Sequence, residues 1–123
     1  MDDKAALVGT AVGRRWIAYT TIANSGDFKR LRQFIADNFA PVALGEMSVG
    51  ERIKWHKELY EQAGKLRVYQ VLASEDYQMV LIVQGQKGGL FITDMRVLAD
   101  HPHKLIDYDL HPFEIEQEGS TTE

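Results

Sequence analysis

WIAYTTIANSGDFKRLRQFI, residues 16–35, contains the end of one amphipathic segment, a turn and the start of the next segment. Apolar residues recur every three or four positions before the turn, which predicts one helix from Lys4 to about Ala23. Asp27 follows the Ser-Gly pair of the turn and is a good N-cap, because its carboxylate accepts hydrogen bonds from free backbone amides. The pattern then resumes, so we predict a second helix that Pro41 ends.

A third helix is predicted between Ser48 and Gly64. Ser48 and Glu51 have the spacing of a capping box, in which each side chain binds the backbone amide of the other residue. Gly64 is the expected glycine at the C-terminus, since glycine adopts the left-handed conformation without strain. The first half of the chain is therefore predicted to be helical.

After Gly64 the apolar period changes from about 3.6 to about 2, which is typical of strands. The predicted strands are Leu66 to Ser74, Tyr77 to Gln84, Leu90 to Leu98 and Lys104 to Leu110. Short polar connections join them, so neighbours in sequence should pair antiparallel. We predict an α+β fold in which three N-terminal helices pack on one face of a curved, four-stranded antiparallel meander.

Alternation along the strands predicts which side chains face the helices. The inner set is Met79, Leu81, Val83, Phe91, Thr93, Met95, Val97, Ile106, Tyr108 and Leu110. The outer set is mainly polar: Gln78, Gln84, Asp94, Arg96, Asp107 and Asp109. Four apolar side chains are also assigned to the outer face: Tyr69, Val71, Val80 and Ile82. A half-apolar sheet face favours a contact with another chain, so we predict a homodimer through the outer face.

Length and composition indicate one globular domain. The 123 residues are 45% hydrophobic and 26% charged, and we predict a domain over 1–113 followed by an acidic, solvated tail over 114–123. The chain has no cysteine, which excludes disulfides and thiolate chemistry.

Charge and hydropathy narrow the expected partners. The net charge of −4, without a clustered basic surface, predicts no nucleic-acid partner. No apolar run approaches the roughly 20 residues that a membrane span requires, so no membrane partner is predicted. The first residues lack the basic-then-apolar order of a signal peptide, and we expect a cytoplasmic location.

The order of elements resembles the nuclear-transport-factor-two-like superfamily, the SnoaL-like and cystatin-like α+β cone, over about residues 5–113. The resemblance rests on three helices before a meander, on Tyr19 standing eight residues before Asp27, and on IADNF at 35–39. Short segments also resemble accessory domains that accompany bacterial serine hydrolases and peptidases. They are NFAP at 38–41, RIK at 52–54, GKLRV at 64–68 and HPHKL at 101–105.

The resemblance implies a pocket between the helices and the concave sheet. Members of the superfamily use it for catalysis, for binding small molecules or only for assembly, so the fold alone does not name the function. We predict pocket walls from Trp16, Tyr19, Trp55, Thr93, Met95 and Tyr108. Tyr19, Thr93, Tyr108 and His56 would supply the polar groups that orient a ligand.

Ketosteroid isomerases of this superfamily supply the sharpest catalytic hypothesis. The resemblance implies that Tyr19 donates a hydrogen bond to developing negative charge. The matching position for the carboxylate base, sixteen residues after Asp27, is Ala43, which cannot move a proton. Asp94 is the nearest candidate for a second acid, but alternation assigns it to the outer face. Related dehydratases need a His–Asp pair, and His56 has no visible partner.

Two interpretations of the aromatic and histidine residues stay open. Tyr19 is either a ligand contact or a core tyrosine whose hydroxyl has a protein partner. Trp16 and Trp55 are likewise either pocket walls or core, and His56 is either an acid–base group or a packed side chain. The favoured function is binding of a small hydrophobic molecule without catalysis or cofactor. The alternatives are an isomerase, dehydratase or cyclase with a non-standard acid–base pair, and a protein-interaction accessory domain.

The remaining histidines invite a metal interpretation, which we do not favour. His101, His103 and His111 lie close in sequence, but no carboxylate stands at ligand spacing and the His-Pro-His segment is typical of a polar turn. The sequence therefore predicts no metal site.

Overall fold

A computed structural model describes residues 3–113 of the chain. The predicted tail over 114–123 lies outside the described residues. The helices are α1 (Asp3–Gly9), α2 (Ala11–Asn24), α3 (Phe28–Asn38), α4 (Pro41–Glu46) and α5 (Val49–Ala63). The strands are β1 (Leu66–Ser74), β2 (Gln78–Gly85), β3 (Leu90–Val97) and β4 (Leu105–Phe113).

The predicted α+β class and the antiparallel four-stranded sheet are confirmed. The strands lie in the order β1-β2-β3-β4, and each pair of neighbours is antiparallel. One sheet face packs against the helices. The core on that side combines α2, α3 and α5 with the inner side chains of β2 and β3.

The first predicted helix is in fact two helices. Thr10 is extended, with φ −119° and ψ 154°, and its hydroxyl accepts a hydrogen bond from the Gly13 amide at 2.9 Å. Threonine thereby ends α1 and caps α2. A Cβ built on Gly13 would lie 2.3 Å from the carbonyl oxygen of Leu7, so the close approach of α1 to α2 requires glycine at this position.

The helix predicted to end at Pro41 ends earlier. Helix α3 stops at Asn38, because Phe39 is extended and its backbone lies beside that of Leu105 in β4. Pro41 is instead the first residue of α4, a position where its missing amide hydrogen costs no hydrogen bond. For these two reasons residues 3–113 contain five helices rather than the three that were predicted.

The inner face of β2 and β3 is as predicted, whereas β4 differs by one residue. Val97 and Met95 are buried, and Met95 pairs with Tyr108. A bulge between Arg96 and Val97 places Leu105 opposite Val97. Leu105, rather than the predicted Ile106, therefore takes the buried position next to Val97.

Strand β1 contains two bulges that change the predicted outer face. Val71 pairs with the buried Leu81, so Val71 lies on the inner side and its outer assignment was wrong. Tyr69 and Leu72 are the additional residues of the bulges and are 54% and 45% exposed. Ile82 keeps its outer register but is only 4% exposed. Each bulge shifts the alternation of the residues that follow it.

Candidate functional site

Tyr19 lies at the centre of an aromatic cluster between the helices and the sheet. It is 1% exposed and projects from the buried face of α2. Its ring centroid lies 4.9 Å from that of Tyr108, 5.1 Å from His56, 5.6 Å from Phe34 and 5.8 Å from Phe39. Helices α2, α3 and α5 and strand β4 thus each contribute a ring to the cluster.

A hydrogen bond joins the Tyr19 hydroxyl to Nε2 of His56. Burial, with the nearby Arg52 cation as a second cause, lowers the pKa of His56 to about 4, so the imidazole is neutral at neutral pH. Burial also raises the pKa of Tyr19 well above its ordinary value. We assign the phenol as donor, because it is the stronger acid of the two neutral groups.

Trp55 and Tyr108 extend the cluster toward the surface. The Trp55 ring meets those of His56 and Tyr108 edge-on, with centroid distances of 4.8 and 5.9 Å. The rings of His56 and Tyr108 are nearly parallel, with an angle of 12° between their planes and 6.1 Å between their centroids. Burial raises the pKa of Tyr108, and the nearby hydroxyl of Thr93 opposes that rise. Edge-to-face and offset contacts of this kind are favourable for aromatic rings.

Two small cavities border the cluster. The first, which we call the α5–β4 cavity, has a volume of about 90 Å³ and is bordered by Tyr19, Met47, Arg52, Trp55, Tyr108 and Asp109. The second, the inner cavity, has a volume of about 20 Å³ and is bordered by Tyr19, His56 and Tyr108 together with residues of α3 and β1. Both are smaller than the roughly 300 Å³ at which pockets for drug-sized ligands begin.

The structure brings four of the seven predicted site residues to these cavities. Tyr19, Trp55, His56 and Tyr108 border one or both of them. Trp16, Thr93 and Met95 are buried near the cluster but border neither cavity. The Thr93 hydroxyl donates to the carbonyl oxygen of Asp109 at 2.7 Å, which holds β3 to β4.

Arg52 is a site residue that the sequence analysis missed. It is 8% exposed, and its guanidinium carbon lies 4.4 Å from the centroid of the Phe39 ring. Nε donates to the carbonyl of Met47 at 2.9 Å and Nη2 to that of Ala43 at 2.8 Å. Arg52 precedes His56 by four residues on α5, so the two share a helix face. That spacing from an inward-facing histidine was the available signal.

The described interior offers no carboxylate for acid–base chemistry. Ala43 is buried at the position where the resemblance would place the base, and it contributes only its backbone carbonyl. Asp94 lies opposite Val80 and Asp109 on the outer face, as predicted, and accepts a hydrogen bond from Gln78 at 3.4 Å. Within residues 4–113 no Asp or Glu is buried.

The histidine-rich turn and β4 have local partners. His103 stacks on Tyr77 at 5.7 Å, and its Nδ1 lies 2.9 Å from the carbonyl oxygen of Leu98. His111 pairs with Asp109 through Nε2 at 2.9 Å. In the part of the chain that the structure describes, no three His, Asp or Glu side chains are grouped so that they could hold a metal ion.

Across the same residues, no helix combines the length and apolar character needed to span a bilayer.

Comparison of the chain with models of protein families, with curated proteins and with solved structures finds no match. The resemblance to the nuclear-transport-factor-two-like superfamily therefore stays a prediction. The chemistry of the site has to be inferred from its own geometry. In that geometry two phenols and a guanidinium border the α5–β4 cavity, and the neutral imidazole of His56 borders the inner cavity with the same two phenols.

Proposed function

We propose that the protein binds a small, mostly apolar molecule in the α5–β4 cavity. The observation that carries the proposal is a space of about 90 Å³ bordered by the aromatic rings of Tyr19, Trp55 and Tyr108. An enclosed apolar cavity of ~150 Å³ holds benzene, so this smaller space, which is open to solvent on one side, favours a compact ligand whose ring is only partly enclosed. Binding inside an α+β cone is also one of the uses that the superfamily resemblance implies.

Binding is better supported than catalysis. A general base must come within hydrogen-bond reach of the proton that it removes. Nε2 of His56 is already engaged by Tyr19, and no carboxylate is buried among the described residues. Asp109 borders the cavity, but its carboxylate lies on the outer sheet face and is engaged by the Leu110 amide and by His111, so an isomerase, dehydratase or cyclase activity would need another proton acceptor. We therefore propose a binding protein rather than an enzyme.

Titration with toluene and phenol, followed by proton–nitrogen NMR, tests this proposal. Binding in the cavity should shift the indole N–H signal of Trp55 and the backbone amides of Tyr108 and Asp109 in a saturable way. Met47→Phe is a blocking variant, because Met47 borders the cavity and a larger side chain would fill it. Val42→Phe, at an exposed position of α4, is the matched control. Shifts that persist in Met47→Phe, or no saturable shifts at all, would contradict the proposal.

A second candidate function is association of two copies. Tyr69 and Leu72 are both exposed on β1, an edge strand, which makes them available to another chain. We propose a homodimer that includes this edge and the adjoining outer face, burying about 800 Å² per partner. Light scattering after size-exclusion chromatography should give a dimer mass for the wild type and a monomer mass for Tyr69→Ser/Leu72→Ser. A wild-type monomer at high protein concentration would overturn it.

A further inference from the structure

Arg52 is a buried cation without a carboxylate partner. Its guanidinium contacts two backbone carbonyls, those of Met47 and Ala43, and the face of the Phe39 ring. Among residues 4–113, no Asp or Glu lies within ion-pair distance of that guanidinium. Burying a charge is costly unless it is paired and hydrogen-bonded, so a cation in this state favours an anionic partner.

One edge of the guanidinium remains available. Nε and Nη2 are engaged, while Nη1 has no acceptor in the described part of the chain. Nη1 is also in contact with solvent. Among the side chains of residues 4–113, Ser74 Oγ is the only nitrogen or oxygen atom that both lacks a hydrogen-bond partner and is shielded from solvent. Since Arg52 borders the α5–β4 cavity, a molecule in that cavity can meet a donor that the protein itself leaves unused.

The carboxylates around the cavity do not supply the anionic partner that Arg52 lacks. Glu46, Glu51 and Asp107 act on Arg52 only from beyond ion-pair distance. Asp109 borders the cavity, but its carboxylate projects from the outer sheet face, where it accepts from the Leu110 amide at 3.0 Å and pairs with Nε2 of His111 at 2.9 Å. These contacts keep the Asp109 carboxylate beside its own strand. Arg52 is therefore the charged group at the buried side of the cavity.

We propose that the occupant of the α5–β4 cavity is a small organic carboxylate. Its anionic group pairs with Arg52 through Nη1, and its apolar body packs against Trp55 and Tyr108. Guanidinium is suited to this task, because its planar donors match carboxylate oxygens and it is weakly hydrated. The inference rests on the proposed binding function and adds the chemical class of the ligand.

The test compares benzoate with benzamide and toluene on the wild-type protein. Benzoate and benzamide have nearly the same shape and differ in charge, so their comparison isolates the ion pair. Benzoate should bind about tenfold or more tightly than benzamide, as expected for a hydrogen bond to a charged group. The readout is the saturable NMR shift of the Trp55 indole N–H.

Variants locate the effect at Arg52. Arg52→Met should remove the preference for benzoate, while Arg30→Met, at an exposed arginine, should keep it. Because Arg52 also binds two carbonyls, Asp109→Asn gives a second test that leaves those contacts intact. Removing this negative charge should raise the ratio of benzoate affinity to benzamide affinity, and an unchanged or lower ratio would contradict the ion pair.

The outcomes separate the two proposals. Equal or weaker binding of benzoate than of benzamide overturns the carboxylate inference and leaves the binding function standing. Failure of all three compounds to shift the Trp55 signal overturns the binding function itself. An unchanged benzoate preference in a folded Arg52→Met protein also overturns the inference, because the preference would then arise at another site.

Discussion

The hydroxyl of Tyr19 on α2 is hydrogen-bonded to Nε2 of His56 on α5, and both side chains are buried. The two residues are 37 positions apart in sequence, so the bond joins the first long helix to the last. Both groups are neutral at neutral pH, because burial lowers the pKa of the imidazole and raises that of the phenol. The pair therefore stabilises the interior without introducing a charge.

Tyr19→Phe should lower the free energy of unfolding by about 1–3 kcal/mol, because it leaves a buried imidazole nitrogen without its partner. Tyr69→Phe is the matched control and should change it by less than about 0.5 kcal/mol, since Tyr69 is exposed. Urea denaturation of the two variants measures the difference. Equal stability of both would instead favour a hydroxyl that serves a ligand.

Stability should fall in mild acid because of His56. Its folded-state pKa, about 4, lies below the ordinary value of 6.5, so the unfolded chain binds the proton first as pH falls. The stabilisation from the neutral imidazole is complete above about pH 6.5 and is lost as the pH falls toward 4, by roughly 3 kcal/mol at most. Below about pH 4 His56 is protonated in both the folded and the unfolded state, so it no longer makes the free energy of unfolding depend on pH.

The measurement is the urea midpoint at several pH values between about 4 and 7 for wild type, His56→Gln and His111→Gln. The exposed His111 is the control, so its variant should keep the wild-type slope. The urea midpoint of His56→Gln should change less with pH than that of the wild type, because glutamine does not titrate. Parallel slopes for wild type and His56→Gln would show that other groups cause the acid sensitivity.

Gly13→Ala should destabilise the protein although alanine is the better helix former. The added methyl group would lie 2.3 Å from the Leu7 carbonyl oxygen and 2.6 Å from that of Ala6, so α1 would have to move away from α2. We expect a loss of about 1–3 kcal/mol in thermal or urea unfolding. Gly50→Ala, within α5 and with open space where the methyl group would lie, should be neutral or stabilising by up to about 1 kcal/mol. If both variants changed the free energy of unfolding in the same direction, the close packing of α1 on α2 would be contradicted.

Local chemistry explains what could be predicted from the sequence. Asp27 accepts from the Arg30 amide, Ser48 and Glu51 form the capping box, and Gly64 has φ +74°. Each of these depends on residues within a few positions, as does the alternation along β2. The break at Thr10 is local too, but a pattern of apolar residues continues across it and conceals it.

Features set by contacts between distant segments could not be predicted in this way. A bulge depends on how two strands pair, so alternation within β1 alone assigned Val71 to the wrong face. The predicted Tyr19, Trp55 and Tyr108 do meet, since helix faces and strand faces point them inward, whereas Trp16 makes no ring contact with the described residues. Arg52 was missed because a buried arginine is rare unless paired, and its carbonyl partners come from the loop and helix before it.

The register of β1 gives the most direct test of the described sheet. Simple alternation would turn Val71 outward and Leu72 inward, whereas the structure has Val71 packed against the core and Leu72 45% exposed. Val71→Asp should therefore lower the free energy of unfolding by about 2 kcal/mol or more, because it places a carboxylate against apolar groups. Leu72→Asp should change it by about 0.5 kcal/mol or less. Urea unfolding of the two variants decides the matter: if Leu72→Asp is the more damaging, the bulge between Val71 and Ala73 is misplaced and the strand carries the alternation that its sequence suggests.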